Sequence, residues 1–170
     1  MSTIPIRGVK EPFGWMGNMS PHPVKYGKRE FKTSEHLFQW GRFEGHPQIQ
    51  EEIFQQKSPM GAKMKAKKHR RLLTEKGEWK WDEKKDTEWM ETCLLLKLES
   101  NPALIEELMA TGETFIVEDC SKRKGGSGMF WGAALKDGEW VGENVLGSLW
   151  MEIREAFLKG SLRMFNSKEM

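Results

Sequence analysis

The sequence predicts a mainly α-helical, multihelical protein with a few short β-strands, folded as one compact domain over residues 1–170 with its core at about 13–157. Three observations carry that expectation. Apolar residues recur at spacings of three and four in several stretches, each opened by a capping residue or proline and most closed by glycine. A chain of 170 residues, 38% of them hydrophobic, can bury one sizeable core, and nothing in the composition forces a division. Glycine and proline crowd the first 32 residues, where Pro5, Pro12, Pro21 and Pro23 deny a long helix and leave loops and short strands.

The elements follow in order. Thr33 or Ser34 caps a first helix running through Leu37 and Phe38 towards Phe43, and Gly45 with Pro47 interrupts it. Pro47 suits the first turn of a second helix, whose Ile49 and Ile53 share a face. Ser58 and Pro59 repeat that signature and open a third. Trp89, Met90, Cys93, Leu94 and Leu98 mark an amphipathic helix from Asp86 to Ser100. Asn101 and Pro102 start the next, which stops at Gly112, and Thr114–Glu118 reads as a short strand. KGGSG is a flexible or ligand-hugging loop. Asn144 then caps a final helix that buries Leu146, Leu149, Trp150, Ile153 and Phe157 and meets Gly160.

No apolar run approaches the roughly 18 to 20 residues of a membrane span, and no leader resembles a signal peptide. Cys93 and Cys120 are too few and too far apart for a disulfide framework or metal clip. The expectation is a soluble cytoplasmic protein with both thiols reduced, no membrane partner, no metal and no cofactor. The net charge of +2 is too small to identify a nucleic-acid binder. Its distribution is uneven, however: Lys63, Lys65, Lys67, Lys68, Arg70 and Arg71 crowd one stretch, either as a solvated helix face or as a surface for DNA or RNA phosphates. Eight tryptophans stand against one tyrosine. Most serve a core, but Trp79 and Trp81 lie outside any periodic pattern and suit a stacking plate for a heterocycle.

The candidate chemistry starts at TSEHLFQW, Thr33–Trp40, where Glu35 stands in a first helical turn among His36, Leu37, Phe38 and Trp40. A terminal acid favoured by the helix dipole is the plain reading. A carboxyl group walled off from water by such bulk titrates higher and becomes a usable acid or base. GWMGN, Gly14–Asn18, supplies glycines for close approach of backbone and an amide able to read hydroxyls, or simply a turn. Phe130, Trp131 and Gly132, followed by Gly142, Asn144 and Gly147 around a helix start, form either a phosphate seat or an ordinary N-cap. Lys63, beside Ala62, could attack a sugar aldehyde to form a Schiff base if apolar surroundings eased its proton away.

GWMGN, KTSEHLFQ, SPMGAKMK, a tryptophan before a long helix, NPALIEELMATG with IVED, FWG and GENVLGSLWMEIR, in this order, resemble the NADAR (YbiA-like) family over about Phe13 to Phe157. The resemblance implies a compact, mainly α-helical N-glycosidase acting on a phosphorylated ribose conjugate. Some members act on phosphoribosylaminopyrimidine intermediates of riboflavin synthesis, and others remove ADP-ribose from guanine in nucleic acid. Carried onto this chain, it makes Glu35 the catalytic acid, Lys63 the residue that forms a transient Schiff base in the ADP-ribose-removing branch, and Trp81, or Trp79, the stacking residue. Gly17, Asn18, His36, Gln39, Trp131, Gly132, Asn144 and Gly147 are then expected around the substrate, a nucleotide or ADP-ribosylated nucleic acid. One departure stands out: Gly128 occupies the position of an acidic residue usual in the family, so Glu118 or Asp119 would have to supply that carboxylate. A module that binds ADP-ribose or a nucleotide without cleaving it is the alternative.

Overall fold

The computed structural model describes residues 2–74, 83–123 and 126–160. They fall into two compact units, one holding residues 18–74 and 83–102, the other 2–17 and 103–160. Helices dominate, with short strands, as the sequence predicts.

In the first unit, a hairpin of β2 (Val24–Tyr26) and β3 (Arg29–Phe31) precedes α1 (Ser34–Gly41), α2 (Pro47–Phe54), α3 (Pro59–Lys68), α4 (Arg71–Thr74) and α5 (Glu83–Ser100). The caps are the expected ones. Thr33 takes an extended backbone and its hydroxyl accepts the His36 N–H at 3.2 Å. Ser58 accepts the Gly61 N–H at 3.0 Å, with Pro59 in the first turn. α1 packs against α2, α3 and α5. Phe43, Ile53, Ala62, Ala66 and Leu73 close a core beneath α1, α2, α3 and α4, and each large apolar side chain so buried contributes roughly 1.5–3 kcal/mol. Trp89 of α5 lies over Gly41, where any Cβ would run into its indole, and its Nε1–H donates to the Phe38 carbonyl at 3.0 Å. That contact needs glycine in α1 despite its poor helix propensity.

In the other unit, β1 (Thr3–Ile6) pairs in parallel with β4 (Phe115–Glu118), with Ile4 opposite Ile116. α6 (Ala103–Ala110) and α8 (Val145–Leu158) pack together, and α8 lies against β4. Trp150 is wholly buried, meets Trp15 edge-on with ring centres 5.3 Å apart, and donates to the Met16 carbonyl at 2.9 Å. Gly112 and Gly160 end their helices with positive φ, as the sequence leads one to expect. A short helical turn, α7 (Gly128–Trp131), and a hairpin of β5 (Ala134–Lys136) and β6 (Glu139–Val141) go beyond the sequence reading. The hairpin had a signal: Asp137 and Gly138 both take positive φ, the pairing a tight two-residue turn requires. No helix among the described residues is long and apolar enough to cross a membrane. Cys93 and Cys120 are both free and buried.

Candidate active site

Glu35 lies in the first turn of α1 with only 7% of its surface exposed. Its backbone N–H, one of the donors a helix start leaves unsatisfied, gives a 3.1 Å hydrogen bond to the Asn18 carbonyl. The carboxylate is engaged one turn further on, where Gln39 Nε2 donates to Glu35 Oε1 at 2.9 Å. Arg42 Nη1 donates to Gln39 Oε1 at 3.0 Å, and Arg42 Nε donates to Asp86 Oδ1 on α5 at 3.2 Å. The spacing of four and then three residues puts Glu35, Gln39 and Arg42 on one stripe of the helix. All four side chains are buried.

The electrostatics follow from that enclosure. Burial pulls the Arg42 guanidinium below its ordinary range, while attraction to Asp86 and then to Glu35 holds its charge in place. Burial likewise pushes the Cys93 thiol well up, and the Glu35 carboxylate adds to the effect. A carboxylate shielded from water and attracted to a buried cation has the chemistry of a proton donor or acceptor.

Asn18 docks its own loop on the helix start: its Oδ1 accepts from Ser34 Oγ at 2.8 Å and its Nδ2 reaches Met90 Sδ at 3.2 Å. Sulfur is a weak acceptor, so that amide can be recruited by a better one. His36 and Gln39, expected around the substrate, are both hydrogen-bonded to protein groups. The His36 ring is wholly buried; Nε2 lies 2.9 Å from the Gln56 carbonyl and Nδ1 lies 2.7 Å from the Thr33 hydroxyl. A carbonyl only accepts, so Nε2 carries the hydrogen and Nδ1 accepts from Thr33. Burial, the larger effect, holds this ring neutral, and it fastens α1 to the end of α2. Gln39 spends its amide on Glu35 and Arg42.

In the other unit, the residues expected to hold ribose and phosphate pack a helix onto a strand. Asn144 is in the left-handed region and makes no side-chain cap to α8; its Oδ1 accepts from the Glu118 N–H at 3.0 Å and its Nδ2 donates to the Ile116 carbonyl at 2.9 Å. The N-cap expectation fails because β4 offers that amide a donor and an acceptor together. A Cβ on Gly147 would meet the Ile116 carbonyl and the Asn144 amide, and one on Gly132 would meet the Glu118 carbonyl. These glycines admit the close approach of protein backbone. Trp131 is half-buried and meets Phe130 edge-on at 4.9 Å, and Gly17 is half-buried just after a single 3-10 turn at Gly14–Met16.

A Cβ at Gly128 would sit 3.3 Å from Cys120 Cβ, a tight contact, and at ordinary distance from Arg123. Of the two acids weighed as substitutes, Asp119 commits one oxygen to Arg7 at 2.9 Å and the other to the Ser121 N–H at 2.9 Å. Glu118 is 9% exposed and bonds Arg123 through Oε1 at 3.1 Å, while its buried Oε2 has no hydrogen-bond partner among the described residues.

Lys63 is exposed on α3, and Ala62 beside it is buried. Lys67, Lys68, Arg70 and Arg71 are exposed too, with Lys65 half-buried. Trp79 and Trp81 lie outside the described residues. No group of His, Cys, Asp or Glu among the described residues could hold a metal ion. Sequence reasoning missed Arg42 and Asp86. The helical spacing of Arg42 from Glu35 and Gln39 was a usable signal for the first, whereas 44 residues separate Asp86 from Arg42.

A multihelical fold with short strands and an enclosed first-turn glutamate is thus the class this chain presents. The chain belongs to the NADAR domain family, whose model matches residues 7–158. It is 30% identical over 147 residues to the N-glycosidase YbiA of Escherichia coli (strain K12) and, to the same extent, to the N-glycosidase YbiA of Shigella boydii serotype 4 (strain Sb227). Each match covers 86% of this chain and 83% of the relative. The NMR structure of the E. coli protein YbiA is similar at a TM-score of 0.74 and 26% identity, covering 98% of this chain and 90% of that one.

Proposed function

We propose that this protein is an N-glycosidase that hydrolyses the bond between ribose C1 and a base nitrogen in a phosphorylated conjugate, such as ADP-ribose on guanine or a phosphoribosylaminopyrimidine. The observation that carries the reading is the enclosed Glu35 carboxylate with Gln39 on one oxygen and Arg42 close behind, at the start of α1. Membership of a family whose relatives are named N-glycosidases supports it.

In this mechanism the Lys63 amine adds to C1 and the base departs with a proton supplied by Glu35. The Glu35 carboxylate then takes a proton from the lysine nitrogen and passes it to the ring oxygen as the C1–oxygen bond of the ring breaks, which leaves the opened sugar as a protonated imine on Lys63. Water, deprotonated by Glu35, then adds to the imine carbon; the lysine leaves as amine and the sugar as aldehyde, which recloses. An exposed lysine on α3 is accessible to such a sugar. Trp81 or Trp79 stacks on the base, Asn18 reads a ribose hydroxyl, and the basic face from Lys63 to Arg71 meets the phosphates of a DNA or RNA substrate. Glu118, with one buried oxygen uncommitted, is the better candidate for the carboxylate that Gly128 replaces.

The test is parallel incubation with ADP-ribosylated guanosine DNA, NAD and the phosphoribosylaminopyrimidine, with mass spectrometry of the products. Released base and free sugar phosphate are expected from at least one. A module that binds ADP-ribose or a nucleotide without cleavage is the second reading, favoured by glycine standing at position 128 in place of the family's acid. Intact ligand recovered from a tight complex in every incubation would establish it instead.

A further inference from the structure

The proton that Glu35 trades in the proposed reaction can sit on either carboxyl oxygen, and the surroundings choose between them. Gln39 Nε2 is 2.9 Å from Glu35 Oε1, and Gln39 Oε1 is 3.0 Å from Arg42 Nη1. A primary amide can be turned end for end with little change of shape, so its orientation has to come from its neighbours. Here both neighbours agree. A guanidinium has donors and no acceptor, so it demands the amide oxygen, and an ionised carboxylate only accepts, so it demands the amide nitrogen. The reversed amide would set oxygen against carboxylate and N–H against guanidinium.

Arg42 is itself held. Its Nε donates to Asp86 Oδ1 at 3.2 Å and its guanidinium lies over the Phe38 ring at 5.3 Å from the centroid. Asp86 is 2% exposed and Arg42 6%, so this ion pair keeps its partners in a place where breaking it costs several kcal/mol. The guanidinium cannot turn away and release the amide.

We propose that Arg42 is a positioning residue that locks the Gln39 carboxamide with its N–H towards Glu35, so that Glu35 Oε1 is a permanent acceptor and is not the oxygen that carries the exchangeable proton. This deepens the glycosidase reading and rests on it only for the use made of the proton. Among the described residues, the titratable groups that also act here include Cys93 on α5, whose thiol burial and Glu35 push up, and Arg70, which repels Arg42.

NMR titration of the substrate-free protein tests the lock, following the Glu35 side-chain carboxyl carbon and the Gln39 side-chain amide. In the native protein the Gln39 amide shift should track the Glu35 titration. Arg42→Lys keeps a donor without an acceptor and should preserve that link. Arg42→Gln can accept or donate; the link should weaken and Glu35 should titrate at higher pH, with the acid limb of the activity profile moving the same way. An unmoved Glu35 titration and amide shift in folded Arg42→Gln protein would overturn the proposal. If that variant does not fold, Gln39→Leu leaves the Arg42–Asp86 pair intact and should also raise the Glu35 titration; an unchanged one there overturns the proposal equally. Because these readouts need no turnover, a fully active Glu35→Gln protein would refute the glycosidase mechanism while leaving the lock tested on its own terms.

Discussion

The Lys97 ammonium nitrogen lies 2.8 Å from the Ser20 hydroxyl, on a side chain wholly removed from solvent. Ser20 accepts from the lysine, and the same hydroxyl is 3.0 Å from His22 Nδ1. Burial pulls the Lys97 pKa down from 10.5 to about 7. In the window from about 7 to 10.5 the unfolded chain therefore carries a proton that the native state lacks. Stability must rise with pH across that window, by about 1.4 kcal/mol per pH unit for one proton. Below it both states are protonated and the slope from this group vanishes. Urea midpoints at pH 6, 8 and 10 should show the climb, and Lys97→Met should flatten it.

Gly41→Ala sets two effects against each other. Alanine is better in a helix by about 1 kcal/mol, but its methyl group would enter the Trp89 indole. Overpacking of that kind costs about 1–3 kcal/mol, so net destabilisation is expected, with a shift in tryptophan fluorescence as the Nε1–H loses the Phe38 carbonyl. A stability gain would mean that α1 and α5 have room to part. Adding Trp89→Leu should recover part of the loss.

Asn144→Ala removes a donor and an acceptor from β4 together. Leaving the buried Glu118 N–H and Ile116 carbonyl unmatched costs about 1–3 kcal/mol for each group. Asn144→Ser, an equally good N-cap residue in general, should rescue little, because capping is not what this side chain does. Thermal unfolding of the two variants compares them directly.

Glu35→Gln keeps the volume and the hydrogen bond available to Gln39 while removing the exchangeable proton. Turnover should fall by about 10²- to 10⁴-fold, the usual contribution of a positioned acid or base, with unfolding temperature little changed. In the same assay, borohydride should trap a sugar adduct on the native protein and none on Lys63→Ala. Turnover at the native rate would remove Glu35 from the chemistry.

Local signals in the sequence were enough to reveal most of the helices. Thr33, Ser58 with Pro59, Gly112 and Gly160 act on their own neighbours through a hydrogen bond or a favoured φ, so their effect can be read from the residues beside them. The burial of Glu35 agrees with the expectation drawn from the bulky residues that follow it in the sequence. The roles of polar side chains were not. Asn144 was read as a cap and His36 and Gln39 as ligands because each has the right chemistry, yet the partners that claim them are Glu118, Ile116, Gln56 and Arg42. Arg42 is held in turn by Asp86, and Lys97 reaches across 77 residues to Ser20. A buried polar group takes whatever donor or acceptor the fold brings within about 3 Å. By itself, then, the sequence determined where helices begin and end and which acid is walled in, and only the tertiary structure decided which polar groups are spent on holding the protein together.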